Sequence, residues 1–191
     1  PFAVRVQRAL RSGGLAVVAA PLARTSPEVA RAITDFETAD VDAVVTLHLA
    51  YSPSLEAAGE LARTALPVVM LDTTPDRDFG RDVDPARLLQ NHGIHGVQDL
   101  ASVLRRRNKP YRVVAGHLDD GTLIPRVIEV VRAARAARCL SSTKALRVGG
   151  VFPGMGDFAV SDAVLEQKLG IRAVTIPPSA LSPAVEAVTD D

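Results

Sequence analysis

The stretch Val41–Ser54, VDAVVTLHLAYSPS, joins a short apolar run to a helix start and indicates the class of fold. Its central part, Ala43–Leu47, is apolar or β-branched at every position and does not alternate with charged residues. A strand of this kind is buried on both faces, as in a parallel sheet covered by helices. Ser52-Pro53 then combines a capping hydroxyl with a proline at the first helical position. The stretch therefore predicts a strand followed by a helix.

The same alternation continues along the chain. Comparable runs predict strands at Leu15–Ala20, Ala43–Leu47, Pro67–Leu71, Tyr111–Ala115, Leu146–Val151 and Ile171–Ile176. The segments between them predict helices at Val4–Arg11, Pro27–Glu37, Pro53–Ala65, Gly96–Arg107, Ile124–Arg138 and Asp162–Leu169. This order predicts an α/β fold with a doubly wound, mostly parallel sheet of the Rossmann or flavodoxin-like type. We expect a flavodoxin-like strand order.

Local signals refine the helix starts and the domain boundary. Ser26-Pro27 or a capping box formed by Thr25 and Glu28 could begin the second helix.

The irregular stretch Asp72–Asn91 is too long for an ordinary connection, so it is functional or contains a short helix after Asp84-Pro85. A pause near residues 117–121 suggests an N-terminal α/β domain over residues 1–117, lacking its first elements. Residues 118–191 would then be part of a second α/β domain.

Composition excludes several classes of protein. The 191 residues contain 22 Lys plus Arg and 22 Asp plus Glu, a balance that argues against nucleic acid or an anionic membrane as partner. The run Arg105–Arg107 lies late in a predicted helix, where cations suit the helix dipole. A single cysteine, Cys139, excludes an internal disulfide and fits the cytoplasm. No transmembrane or signal segment is evident. The chain starts at Pro1, and we interpret it as a piece of a longer protein.

Histidines concentrate where a ligand of such a sheet would bind. Ligands of open α/β sheets bind outside the carboxyl ends of the strands. His48 and His117 directly follow predicted strands, and His92 and His95 lead into a predicted helix. All four histidines are thus expected on loops at one edge of the sheet.

The segment Asn91–Gly96, NHGIHG, has two interpretations. It could be a capped helix with solvated histidines, or a ligand-facing loop in which Gly93 and Gly96 let the backbone approach a ligand closely. His92 and His95 could share a helical face, but a metal site would need more convergent ligands than these residues supply.

A second glycine-rich loop, Gly149–Phe158, follows a predicted strand. Its spacing matches neither a dinucleotide fingerprint nor a P-loop. Met155 in this loop is a packing residue or an apolar wall of a ligand site. No complete catalytic constellation is present, and Asp119-Asp120 before Gly121 are better explained as turn formers than as an acid/base pair.

Taken together, the segments VDAVVTLHLAYSPS, NHGIHGVQDL, YRVVAGHLDD and VFPGMGDFAV, in this order, resemble the N-terminal half of the L-fucose and L-arabinose isomerases. The resemblance extends from about Leu15 to Ile176. Tyr51-Ser52-Pro53 matches the family's aromatic-Ser-Pro. His48 stands one position away from the histidine of this family segment, so the role of that histidine is not assigned to His48. The last segment is similar to the family's Asn-Met-Arg-Asn-Val-Ala-Val.

The resemblance implies roles for individual residues. His95 would reach towards the substrate site of a neighbouring subunit, Tyr51 and Met155 would line the sugar pocket, and His92 is a further substrate-binding candidate. The family interconverts aldoses and ketoses with a divalent metal, usually Mn²⁺. Its metal ligands and acid/base residues lie in a C-terminal domain that has no counterpart here. This chain would therefore carry no catalytic or metal-binding residue of its own.

The leading hypothesis is the N-terminal substrate-binding and assembly region of a metal-dependent aldose–ketose isomerase. The partners expected from the resemblance are a small-molecule sugar and further copies of the chain, in a homo-oligomer with shared active sites. Val97-Gln98-Asp99 departs from the family after His-Gly, which leaves the sugar unspecified. The alternatives are a non-catalytic sugar-binding module similar to periplasmic binding proteins, and an oligomerisation module.

Overall fold

A computed structural model describes residues 2–156 and 160–188 of the chain. It is an α/β structure with two parallel sheets, as the sequence predicts. The chain forms two compact units, Pro1–Arg135 and Ala136–Asp191. The units divide within a helix, whereas the sequence predicts a domain boundary after residue 117.

The first unit contains a three-stranded sheet and most of the helices. Its elements are α1 (Phe2–Ser12), α2 (Ser26–Thr38), β1 (Val44–Leu47), α3 (Ser54–Arg63), β2 (Val68–Asp72), α4 (Pro85–Gln90), α5 (Gly93–Arg106), β3 (Tyr111–Ala115), a 3-10 turn (Leu118–Asp120) and the first part of α6 (Leu123–Ser141). The strand order is β1-β2-β3, and both pairs are parallel. The register places Val68 of β2 opposite Val44 of β1 and Tyr111 of β3.

Strand β2 divides the core of this unit into two layers. Because successive strand residues point to opposite faces, Val68 and Met70 belong to one hydrophobic cluster, whereas Val69 and Leu71 belong to the other. The first cluster includes buried residues of α2, α3 and α5. The second includes buried residues of α1 and α6. Helices therefore cover both faces of the sheet, which makes it doubly wound.

The apolar runs predict strands that are buried on both faces, but fewer strands of the three-stranded sheet are buried in this way. In the three-stranded sheet, β2 at the centre is buried at Val68–Leu71 without interruption, whereas β1 is fully buried only at Val44 and β3 only at Val114. The predicted strand Leu15–Ala20 is wrong, since these residues belong to no strand or helix. The carbonyl oxygen of Val17 accepts a hydrogen bond from the Arg11 guanidinium at 3.1 Å rather than from a neighbouring strand. An apolar run satisfies the side-chain pattern of a strand, but a strand also needs a partner for its backbone.

Polar side chains start the helices that position the sheet edge. Glu28 accepts hydrogen bonds from the backbone N–H of Thr25 at 3.0 Å, so the capping-box interpretation of α2 is correct. Ser26 instead donates its hydroxyl to Glu56 of α3 at 2.8 Å. Asp84 accepts the N–H of Ala86 at 2.9 Å and starts α4, which confirms the short helix after Asp84-Pro85.

The second unit contains a two-stranded parallel sheet. Its elements are the end of α6, β4 (Lys144–Val148), α7 (Asp162–Leu169), β5 (Arg172–Ile176), a 3-10 turn (Pro178–Leu181) and α8 (Ser182–Glu186). Arg172 of β5 forms an exposed ion pair with Glu166 of α7 at 3.1 Å. The side chains of Leu146, Val148 and Val174 are 60%, 45% and 49% exposed.

Within the described ranges, no helix combines the length and apolar character needed to cross a membrane.

Candidate functional site

The carboxyl ends of the three parallel strands bring polar residues to one edge of the first unit. His48 directly follows β1, Thr73 follows β2, and His117 lies two residues beyond β3. Because the strands run in the same direction, these residues leave the sheet at the same edge. The start of α5, which carries His92 and His95, packs against the segment that follows β1. The histidines therefore occupy the predicted edge, but His95 lies inside α5 and not on a loop, because the helix begins at Gly93 and not at Gly96.

Two glycines of α5 allow that packing. A β-carbon on Gly93 would lie 2.4 Å from the carbonyl oxygen of His48. A β-carbon on Gly96 would lie 1.9 Å from the carbonyl oxygen of Tyr51. Real β-carbons do not approach oxygen so closely, so both positions require glycine. This close approach to the backbone of the same chain accounts for both glycines without a ligand.

The predicted residues Tyr51, His92 and His95 form a continuous group of rings. The ring centroids of Tyr51 and His92 are 5.5 Å apart, and those of His92 and His95 are 4.4 Å apart. His92 occupies the N-cap position of α5, without a capping hydrogen bond from its side chain, and His95 is the third residue of the helix, a spacing that places both on one helical face. Tyr51 is 44% exposed, His95 is exposed and His92 is half-buried. We call Tyr51, His92 and His95 the ring cluster.

His48 lies beneath the ring cluster. A β-carbon on Gly96 would also meet Cδ2 of His48 at 2.8 Å, so the imidazole is packed against α5. Its Nδ1 atom is buried and makes no hydrogen bond to any described residue. Burial lowers the pKa of His48 below its ordinary value, which favours the neutral ring. The site predicted from the sequence does not include His48. Its position directly after a predicted strand could have indicated that it lies at the ligand-binding edge of the sheet.

A polar network holds the long connection between β2 and α5 against the start of α5. The Asn91 side chain accepts the N–H of Asp76 at 2.9 Å and donates to Asp76 Oδ2 at 2.7 Å. Arg87 of α4 donates its Nε to the same carboxylate at 3.0 Å. Hydrogen bonds from Arg87 and Asn91 lower the pKa of Asp76, and the nearby His117 contributes in the same direction. The network thus fixes Asn91, the residue before His92.

The ends of β2 and β3 carry a second set of polar residues. Burial raises the pKa of the Asp72 carboxyl. Thr73 is 4% exposed, and its Oγ1 makes no hydrogen bond to a described residue. His117 is 8% exposed, and its Nε2 has no hydrogen-bond partner there either. Asp119 and Asp120 lie in the 3-10 turn that follows, which agrees with the prediction that they form a turn.

The fourth predicted site residue, Met155, belongs to the second unit. It lies in the loop after β4 and is 46% exposed. Gly149 and Gly154 of this loop have φ angles of 79° and 83°, a region that L residues rarely adopt. The rest of the motif that resembles the isomerases, Asp157, Phe158 and Ala159, lies outside the described residues.

The described residues do not fit a manganese ion. Among them, no three His, Cys, Asp or Glu side chains are grouped so that they could hold a metal ion. The two imidazoles of the ring cluster are 4.4 Å apart between centroids and tilted by 56°, and no carboxylate joins them as a third ligand in the part of the chain described.

Comparison with models of known protein families and with curated proteins finds no match.

Proposed function

We propose that this chain binds a small sugar at the edge formed by the ring cluster, as the N-terminal substrate-binding and assembly region of an aldose–ketose isomerase of the fucose/arabinose type. The observation that supports the proposal best is the continuous contact of Tyr51, His92 and His95 at the carboxyl edge of a doubly wound sheet. That edge is where ligands of such sheets bind.

The chemistry of the ring cluster suits a sugar. Aromatic and imidazole faces offer apolar area to the C–H groups of a pyranose or an open-chain polyol. An imidazole in its neutral form has one donor and one acceptor, which matches the mixed hydrogen bonding of sugar hydroxyls. Tyr51 adds a phenolic hydroxyl. The set therefore combines a flat apolar surface with polar groups that would orient a ligand.

The packing beneath the ring cluster is typical of a binding site that is already formed before a ligand binds. Gly93 and Gly96 let α5 lie directly on the backbone of His48 and Tyr51. Asn91, 5% exposed, is held by Asp76 just before His92. Binding then orders few additional groups, which favours affinity for a small ligand.

Proton transfer between neighbouring carbons needs a positioned base and an electrophile for the developing oxyanion. The ring cluster provides neither a carboxylate pair nor a metal site. In this proposal Mn²⁺ and the acid/base residues come from outside this chain, and a cytoplasmic homo-oligomer shares its sites between subunits. The chain alone, incubated with Mn²⁺ and aldoses, should show no turnover, and detectable ketose would contradict this division of roles.

Binding can be tested directly by NMR on the ¹H–¹⁵N signals of the imidazoles during titration with L-arabinose and L-fucose. We expect saturable shifts at His92 and His95. His95→Ala should weaken binding about three- to tenfold, the worth of one or two neutral hydrogen bonds. Gln98→Ala is the matched control, because Gln98 is exposed on the same helix, three residues further on. Absence of saturable shifts at His92 and His95 would refute sugar binding by the ring cluster.

A role in assembly is supported by the second unit. Leu146, Val148 and Val174 present apolar surface on one face of a parallel sheet, a type of sheet that is normally covered on both faces. A second copy of the chain could cover this face. Light scattering should detect self-association that Leu146→Lys reduces, and a monomer at high concentration would argue against assembly through this chain alone.

A further inference from the structure

The outer edge of β1 carries backbone groups that have no partner among the described residues. In a β-strand, the N–H and C=O groups of successive residues point to opposite edges. Val44 points towards β2, because its N–H donates to the carbonyl oxygen of Pro67 at 2.9 Å. Val45 and Leu47 therefore point away from β2, and β1 is the last strand of the sheet on that side. Both residues are half-buried, a position in which backbone groups are normally paired.

The segment Leu15–Ala20, which the sequence predicts as a strand, is unpaired as well. No backbone N–H of residues 16–20 donates to a described residue. Exposure alternates over the first four residues, of which Leu15 and Val17 are half-buried, and a period of two is that of an extended strand. Both side chains pack on the second hydrophobic cluster, as β1 does on that face. The segment thus has the side-chain pattern of a strand without its backbone bonds.

The helices on the two faces of the sheet indicate where this segment belongs. α3 joins β1 to β2 and α5 joins β2 to β3, and both cover the face of the first hydrophobic cluster. Crossovers between parallel strands keep one hand, so a crossover on this face leads in the direction from β1 to β3. α2 covers the same face and leads from Leu15–Ala20 to β1. The segment therefore belongs beyond the outer edge of β1.

Helix α1, which precedes the segment, covers the opposite face, that of the second cluster. On that face the same hand leads in the opposite direction, from β3 towards β1 and beyond. A parallel strand that leads into α1 would therefore lie on the β1 side of Leu15–Ala20. Because β1, β2 and β3 pair without a gap, its nearest place is between β1 and this segment. The resulting order is flavodoxin-like, with the first strand between the second and the third.

We propose that a further strand docks between β1 and Leu15–Ala20, as an apolar segment of the same polypeptide that runs parallel to β1 and leads into α1. We call it the inserted strand. It would bond to the outward backbone groups of Val45 and Leu47 on one side and to those of residues 16–20 on the other. Its side chains would alternate between the two hydrophobic layers, which favours an apolar, β-branched sequence.

The inserted strand has a consequence for the sugar site, and this consequence alone rests on the proposed function. In open α/β sheets, ligands bind outside the carboxyl ends of the strands, at the point where the strand order reverses. With α1 and α3 on opposite faces, that point lies between the inserted strand and β1. His48 directly follows β1 and packs against the start of α5, next to the ring cluster. The loop from the inserted strand to α1 would then complete the site.

Amide hydrogen exchange, measured by NMR on the whole chain, tests whether the edge of β1 is open. The amides of Val45 and Leu47 should exchange about tenfold faster than that of Thr46, which points towards β2. Equal protection of all three would overturn the proposal, since the edge would already be paired. Protection of Val45 and Leu47 that increases with protein concentration would also overturn it, because a second copy would then occupy this place.

An extended chain tests the occupant. A copy of Pro67–Asp72, which contains the sequence of β2, is joined to the start of the chain through about four Gly and Ser residues, a usual length for such a loop. We expect a higher melting temperature and about tenfold slower exchange at Val45 and Leu47. The control extension carries Ser in place of its Val, Met and Leu residues and should change neither quantity. Equal behaviour of the two extensions would overturn the proposal.

Val45→Pro distinguishes pairing with β1 from a non-specific effect of an apolar tail. It removes one outward N–H, and proline is tolerated at such an edge, so the unextended chain should lose little stability. In the extended chain it should remove most of the gain in melting temperature. A gain that survives Val45→Pro would show that the extension does not pair with β1 and would refute the inserted strand. None of these measurements involves sugar, so they test the inserted strand separately from the proposed function.

Discussion

Gly96 of α5 lies directly against the backbone of Tyr51, so closely that a β-carbon on Gly96 would stand 1.9 Å from the Tyr51 carbonyl oxygen. This contact joins the segment after β1 to α5, and it sets the position of the ring cluster.

Gly96→Ala should therefore destabilise the chain by about 2–3 kcal/mol, because backbone atoms must move apart. Urea denaturation followed by circular dichroism measures the change. Gly59→Ala in α3 is the control, since its nearest neighbour is the end of the flexible Arg107 side chain at 3.8 Å. It should stabilise α3 by about 0.5–1 kcal/mol through helix propensity. Equal stability of the two variants would contradict the close packing at Gly96.

The buried His48 predicts a pH dependence. Burial lowers its pKa from the ordinary value of 6.5, so the unfolded chain binds this proton more readily than the folded chain. Stability should decrease as the pH falls below about 6.5 and should level off below the lowered pKa. His48→Gln, which cannot ionise, should reduce this slope in urea denaturation between about pH 6.5 and 5.

Carboxylates do not obscure this comparison. Hydrogen bonds lower the pKa values of Glu28 and Asp76 from 4.5 and 3.8, so both titrate at lower pH. Burial raises the pKa of Asp72, an effect of opposite sign that is also present in the His48→Gln variant. The difference between the two proteins then reports His48. Identical pH profiles would show that His48 is not buried in its neutral form.

Asn91 is the centre of the network that precedes the ring cluster. Asn91→Ala should destabilise the chain by about 2 kcal/mol, because it removes bonds to the N–H and carboxylate of Asp76. The same variant should shift the imidazole signals of His92 and His95. Gln90→Ala, at an exposed position one residue earlier, should change stability by less than about 0.5 kcal/mol. Unshifted imidazole signals in Asn91→Ala would mean that the network does not position the ring cluster.

Lys109 fastens the end of α3 to the loop before β3. Its ammonium donates to the carbonyl oxygens of Thr64 and Leu66, at 3.0 Å for Leu66, while burial lowers its pKa. Lys109→Met keeps the aliphatic chain but removes both bonds, and it should cost about 1–2 kcal/mol in thermal or urea unfolding. Lys144→Met, at an exposed strand position, is the comparison and should be nearly neutral. A loss no larger than that of Lys144→Met would show that these bonds contribute little.

Short-range patterns carried most of the fold prediction. The run Pro67–Leu71 corresponds closely to β2, and Asp162–Leu169 coincides with α7, because apolar periodicity and capping residues act within a few positions. The run Leu15–Ala20 misled for the opposite reason: a strand needs a neighbouring backbone, and no local pattern reports whether one is present. The pair Ser52-Pro53 predicts a helix that begins at Pro53, but α3 begins one residue later, at Ser54.

The candidate site was predictable to a similar extent. His92 and His95 could be named because they stand just before a predicted helix, whereas Tyr51 was named only through the resemblance to the isomerases. The pairing of Asp76 with Asn91 joins residues 15 positions apart, and no spacing rule reports it. The unpaired state of Thr73 and His117 was equally hidden, since it depends on every neighbour of each atom.

By itself, the sequence determined the alternation of strands and helices and the edge at which the histidines emerge, because both follow from local periodicity and from the common direction of parallel strands. Only the tertiary structure decided which polar groups find partners. Gly93 and Gly96 approach backbone from another loop, and His117 keeps one nitrogen bonded and the other free. The physical reason is that segments far apart in the chain must come together for hydrogen bonding and close packing. A difference of a few tenths of an ångström in the distance between them decides whether a contact forms.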